Sequence, residues 1–177
     1  MDKDKIIGGW FVNMRESIHK YFRVGTIRWM SFPKMGVLES IKKIASDDYF
    51  DTIEITECKD DEERTAVKKI LEQSHMKVCY GAQPRLLGPK LNPNDIDEKG
   101  RKAAENTLLE AIDEAEYLGA KGIAFLAGKW EEKTKEQAYE QLLKTTRNLC
   151  DYAAKKDMMV ELEVFDFDMD KAALIGP

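Results

Sequence analysis

The sequence predicts an α/β fold, the first five units of a (β/α)8-type barrel, on three observations. Strand-like and helix-like segments alternate five times along the chain, the pattern of parallel strands joined by helical crossovers. The fifth strand segment, Val160-Glu161-Leu162-Glu163-Val164, places acids on one face and aliphatics on the other. A parallel strand covered on both faces would be apolar on both. A barrel strand has one face on the helices and one in a lumen whose mouth can carry acids. The chain stops after five units, where a closed barrel of this kind has eight strands, so an incomplete barrel with strands in sequential order is expected.

Phe11, Met14, Ile18 and Tyr21 are spaced by three, four and three, so an amphipathic helix is expected before about residue 20. It makes residues 1–22 a helical extension and 23–177 a partial barrel. Strand one is expected over Val24 to Met30, ended by Ser31-Phe32-Pro33, with Val37, Ile41 and Ile44 on its helix. Strand two is Thr52-Ile53-Glu54-Ile55-Thr56, a strict alternation, followed by a helix carrying Val67, Ile70, Leu71 and Ser74. Strand three is Val78-Cys79-Tyr80, and a long proline-rich loop runs from Arg85 to Asn94. The next helix shows a core stripe of Ala104, Leu108, Ala111, Ala115 and Leu118 at helical spacing. Asp95 with Glu98 reads as its capping box, and Gly119 as its stop. Strand four is Gly122 to Leu126. A helix with a Thr134/Gln137 capping box and the stripe Ala138, Leu142, Thr145, Leu149 and Tyr152 follows. Strand five is Met159 to Phe165, and a last helix is expected from Met169.

Composition restricts the function. At 177 residues, 43% hydrophobic and 34% charged, the chain reads as one globular domain. A net charge of -5 with scattered lysines and arginines argues against a nucleic-acid partner. No apolar run approaches a membrane span, and the N-terminus lacks a signal-peptide pattern. Cys58, Cys79 and Cys150 lie far apart without a CxxC, which suits reduced thiols and a cytoplasmic location.

Glu161, Glu163 and Phe165 are expected to face the lumen, with Glu163 nearer the C-terminal mouth where barrel active sites sit. A carboxylate there ligates a divalent metal, moves a proton, or pairs with a basic residue from a neighbouring strand. Glu54 and Thr56 face inward by the same parity. Glu54 either orients a ligand or braces the barrel wall with Arg28. Cys58 has no activating neighbour and is expected to be inert. The loop after strand three is long for its type. Gln83 and Arg85 in it are candidates for contact with a polar or phosphorylated substrate, against a rigid surface loop with solvated charges. Gly122 to Lys129 is not a phosphate-binding loop: five residues separate the glycines and Trp130 stands where Ser or Thr is required. Lys129 is placed at the mouth after strand four. His19 and His75 cannot assemble a histidine metal site.

The string Val160-Glu161-Leu162-Glu163-Val164-Phe165-Asp166, after Tyr152-Ala153-Ala154-Lys155-Lys156, resembles strand five of the xylose-isomerase-like TIM barrels, the sugar and sugar-phosphate isomerases and epimerases. Gly119-Ala120-Lys121-Gly122-Ile123 is similar to their approach to strand four. The resemblance implies Glu163 as a metal ligand and one of two acid–base carboxylates, and Asp166 as a substrate contact. It implies Mn²⁺ or Mg²⁺ as cofactor, a small-molecule sugar or sugar phosphate as substrate, and proton transfer beside a carbonyl. The family's second carboxylate and remaining metal ligands come from strands six to eight, so this chain alone is expected to be inactive. Two open strand edges make a homo-oligomer that covers them an expectation. A flavodoxin-like domain is the alternative, with strand order two-one-three-four-five, and a metal-dependent nuclease of the same barrel superfamily is a further one.

Overall fold

The computed structural model describes residues 18–166 and 168–176. The expected N-terminal helix lies mostly outside them, and Ile18–Lys20 forms a single 3-10 turn. Five strands follow: β1 (Gly25–Ile27), β2 (Thr52–Ile55), β3 (Lys77–Gly81), β4 (Gly122–Leu126) and β5 (Met159–Glu163). They form one parallel sheet in the order β1-β2-β3-β4-β5. This order excludes the flavodoxin-like alternative, which would place β1 between β2 and β3.

The helices are α1 (Arg28–Ser31), α2 (Val37–Ala45), α3 (Asp61–Ser74), α4 (Gln83–Leu87), α5 (Glu98–Tyr117) and α6 (Lys135–Ala154). The core lies between one face of the sheet and the helices. Ile53 and Ile55 of β2, Tyr80 of β3, and Ile123 and Phe125 of β4 are all nearly inaccessible. Ile41 and Ile44 of α2 and Leu108, Ala111, Ile112 and Ala115 of α5 meet them from the other side. Burying each large aliphatic stabilises the fold by about 1.5–3 kcal/mol, so the alternation in β2 fixes which face is inside. The stripes expected on α5 and α6 are the buried ones, with Tyr152 partly covered. Gly119 holds φ at +86° after α5, and Ala120 N–H bonds back to Ala115 O at 2.9 Å, the left-handed stop that glycine favours.

Several boundaries differ from the sequence reading. β1 ends at Ile27, and Arg28–Ser31 turns into α1, where Phe32 N–H bonds to Arg28 O at 3.0 Å. The ladder with β2 runs only from Gly25 to Ile27, and local bonds satisfy the backbone beyond it. The loop after β3 begins as the helix α4, with Pro84 in its first turn, where a missing N–H costs nothing. Asp97, not Asp95, caps α5 by accepting Gly100 N–H at 3.1 Å. Asp95 instead accepts Asp97 N–H at 2.9 Å. Thr134 precedes α6 but makes no side-chain cap. No helix starts at Met169. Residues 168–176 form bends, and Ala173 bridges antiparallel to Lys129.

One tight contact sets the spacing of β4 and β5. A Cβ on Gly122 would lie 2.6 Å from the Met159 carbonyl oxygen and 3.1 Å from its carbon. Both are backbone atoms that cannot rotate away. Gly122→Ala is therefore expected to cost about 1–3 kcal/mol. A lowered denaturant midpoint would show it, and an unchanged midpoint would mean the two strands can separate freely there.

Candidate active site

The second face of the sheet is the lumen side. Side chains alternate along each strand, so Glu54 of β2, Cys79 and Gly81 of β3, Ala124 of β4, and Glu161 and Glu163 of β5 share it. A trough of about 150 Å³ is lined by Glu54, Cys79, Ala124, Glu161 and Glu163 among others. Glu163 pairs in register with Leu126, at the C-terminal end of both strands. Glu161, nearer the middle, is exposed, whereas Glu54 and Glu163 are half-buried.

Three of the expected site residues come together at the mouth. Gln83, 8% exposed, donates Nε2–H to Glu163 Oε2 at 2.5 Å. A Cβ on Gly81 would stand 2.5 Å from Gln83 Oε1, Glu54 Oε1 and Trp29 Cη2 alike. Only glycine leaves room for all three to converge. A glycine in a strand marks such a close approach, so Gly81 is the sequence signal that could have found this convergence, whereas nothing in the sequence singled out Trp29. Gln83 Oε1 and Thr56 Oγ1 are buried without a hydrogen-bond partner.

Burial pushes the Glu54 carboxyl pKa up, and the nearby acids Glu163 and Glu161 push it further. The folded state then binds more protons than the unfolded state as pH rises above the ordinary value of 4.5. Stability contributed by this group is complete below that value and falls as pH rises through the folded pKa. Glu54→Gln removes the penalty. The variant is expected to be more stable than wild type at neutral pH and to lose that advantage below about pH 4. Denaturation midpoints across that range check it, and a pH-independent difference would contradict it.

Other expected site residues sit elsewhere. Arg85 does not reach into the mouth. It is 7% exposed and lies on the helix side of the sheet. Its Nε donates to Tyr80 Oη at 2.9 Å and its Nη2 to Glu114 of α5 at 2.7 Å. Glu57 lies 3.4 Å from its Nη1. Tyr80 in turn donates to Glu114 at 2.6 Å, and burial foremost raises its pKa. This network holds α4 and β3 to α5, so Arg85 is corrected from a substrate contact to a structural residue. Arg28 forms no brace with Glu54 among the described residues. Burial lowers its pKa, and the acid facing it is Glu63. The Asp166 carboxylate accepts backbone N–H groups from Ala172, Lys171 and Met169 at 2.9–3.1 Å. These bonds close its own turn and occupy the oxygens expected to meet substrate. The Cys58 thiol is pushed up to about 12 by burial and then by Glu114 and Glu63, which fits an unreactive cysteine.

Among the described residues no three His, Cys, Asp or Glu side chains converge to hold a metal ion. Mg²⁺ demands near-octahedral oxygen coordination, and Glu163 supplies one carboxylate. The described residues alone do not fit Mn²⁺ or Mg²⁺.

No helix among the described residues is long and apolar enough to cross a membrane. No match to a curated protein sequence is found. Among solved structures, a D-tagatose 3-epimerase-like protein superposes with a TM-score of 0.70 at 18% identity, covering 81% of this chain and 53% of that one. D-psicose 3-epimerase from Clostridium cellulolyticum H10, solved with D-tagatose, gives 0.68 at 17% identity, covering 84% and 54%. An AP endonuclease, family 2, from Brucella melitensis gives 0.70 at 15% identity, covering 87% and 60%. At these identities the likeness is one of fold, and the chain spans about half the length of the first two structures. A family model described as xylose isomerase-like TIM barrel matches residues 42–172. With the sequential parallel sheet and the lumen carboxylates, that match identifies the chain as a member of the xylose-isomerase-like TIM barrel family.

Proposed function

We propose that the chain carries one half of a sugar isomerase or epimerase site that moves a proton at a carbon beside a carbonyl. The observation that supports this most is Glu163 at the mouth end of β5, with Gln83 fixed on one of its oxygens and Glu54 nearby. The solved sugar epimerases of the same fold support the substrate class.

In this reading Gln83 orients the Glu163 carboxylate, and the other oxygen, Oε1, takes the proton from the substrate carbon. The electron pair left behind moves into the carbonyl, giving an enediol-type intermediate. Delivery of a proton to the opposite face by a second acid, which the other half of the site has to supply, gives the epimer; return by Glu163 to the neighbouring carbon, as the hydroxyl proton passes to the former carbonyl oxygen, gives the isomer. A divalent metal would steady the negative oxygen in a complete site, but its ligands are not assembled by the described residues, and no step here is taken through it. Among the described residues β1 and β5 each pair with a single strand, so the lumen they form is open on one side. We place a second copy of the chain against these edges in the working cytoplasmic form, and regard the lone chain as inactive. The nuclease reading has the Brucella structure on its side, but a net charge of -5 opposes a phosphate backbone.

The test is proton exchange. The assembled protein is incubated with a ketose in D₂O, and loss of the proton signal beside the carbonyl is followed by NMR. Exchange that depends on Glu163 supports the reading. Its absence in the assembled protein with a panel of ketoses and their phosphates would end it.

A further inference from the structure

We propose that the groove between the loops following β3, β4 and β5 is an anion subsite that takes the phosphate of a phosphorylated sugar. This rests on the reading of the lumen given above, because it names the substrate class for that site. The groove measures about 640 Å³, within the ~300–1,000 Å³ usual for small-molecule sites. Three loops at the C-terminal ends of neighbouring strands build it, and each contributes a lysine: Lys90, Lys129 and Lys171. Leu126 lines the groove and is the register partner of Glu163, so the groove lies at the same C-terminal end of the sheet as the carboxylate.

Its charge balance favours an anion. The lining holds three lysines against two aspartates. Asp95 accepts Asp97 N–H at 2.9 Å, and Asp170 is paired with Lys171 Nζ at 2.6 Å. Lys90 and Lys129 form no ion pair among the described residues. Leu86 and Leu126 supply apolar wall on which a carbon skeleton can lie, while a free sugar would leave the lysines unmatched.

The groove is also held in shape. Asn94, 1% exposed, accepts Gly128 N–H at 2.5 Å and donates to the Lys129 carbonyl at 2.8 Å. Asn92 donates to the same carbonyl at 3.0 Å. Leu174 N–H bonds to Gly128 O at 3.0 Å, tying in the third loop. A Cβ on Gly128 would run into the Asn92 and Asn94 side chains. The backbone that carries Lys129 is thus fixed before any ligand arrives, which lowers the cost of binding. The lysine of a string that fails as a nucleotide loop gains a place here.

The test reads binding, not turnover. Wild-type protein is titrated with inorganic phosphate, D-fructose 6-phosphate and D-fructose, and amide shifts are followed by NMR. Saturable shifts at Gly128, Lys129 and Lys171 are expected, with phosphate binding near 1 mM, about −4 kcal/mol. The sugar phosphate is expected to bind more tightly than phosphate, and the free sugar at least about tenfold more weakly. Affinity for both anions is expected to fall as salt screens the lysines. The double substitution Lys90→Gln/Lys129→Gln is expected to weaken phosphate about tenfold, the loss of two exposed charge pairs, with the melting temperature unchanged. Should the double variant unfold, the two single variants carry the same reading. No saturable shift, or affinity unchanged in the variants, overturns the subsite, and sugar phosphate no tighter than phosphate overturns the substrate assignment. Any of these leaves the Glu163 reading standing. Conversely, a protein that binds phosphate but exchanges no proton loses that reading and keeps the groove as an anion site.

Discussion

Glu163→Gln is expected to lower proton exchange by the assembled barrel about 10²–10⁴-fold, the range a positioned general base supplies, while leaving the fold intact. The amide has the shape of the carboxylate, and its carbonyl oxygen can still accept the Gln83 Nε2–H bond that Glu163 Oε2 accepts at 2.5 Å. What it lacks is a basic oxygen to take a proton. Exchange of the ketose proton in D₂O measures the first effect, and a denaturant midpoint measures the second. Turnover at the wild-type rate would remove Glu163 from the chemistry. A collapse of stability would instead show that its charge serves the fold.

Arg85→Ala is expected to destabilise the protein by about 3–5 kcal/mol, the cost of removing one partner of a buried ion pair. Arg85 and Glu114 are 7% and 3% exposed and 2.7 Å apart. Truncation leaves the Glu114 carboxylate buried with Tyr80 Oη at 2.6 Å as a remaining donor. It also frees α4 from α5, and so loosens the segment that carries Gln83. Replacing both charges, as in Arg85→Met with Glu114→Leu, is expected to recover much of the loss, because no unpaired charge remains. Equilibrium urea unfolding of the two variants decides it. A surface substrate contact would shift stability by no more than about 0.5 kcal/mol, and that result would restore Arg85 to the mouth.

The fold was largely legible because its signals are local. The alternation in Thr52–Thr56 and Val160–Val164 states which residues share a face, and the three-and-four spacing in α5 states which side is buried. Both survived folding, since Ile53, Ile55, Ala104 and Leu108 are buried and Glu54 and Glu163 line the trough. The errors lie where local signals compete. The segment from Arg85 read as loop, but its first residues belong to α4, which has Pro84 in its first turn. Asp95 read as the cap, but it closes its own turn, and Asp97 starts the helix. Arg101 is fully buried on Glu105, Glu98 and Thr145, and its charge gave no hint of that.

The candidate site was legible only by face. Parity put Glu163 and Glu54 in the lumen and loop position put Gln83 near them, but parity is silent on partners. Gln83 and Glu163 are 80 residues apart, and Arg85 and Glu114 are 29 apart. Gln83 and Arg85 are separated only by Pro84, yet the turn of α4 sends one to the lumen and the other under the helices.

By itself the sequence determined the order of the strands, the inward faces of the second and fifth, and the family, because period and spacing are properties of neighbouring residues. Only the tertiary structure decided which polar groups meet. It gave Gln83 to Glu163, gave Arg85 to Glu114, and turned Asp166 onto its own backbone. A charged or amide side chain has several chemically equal partners along the chain, and distance selects among them only once the chain has folded.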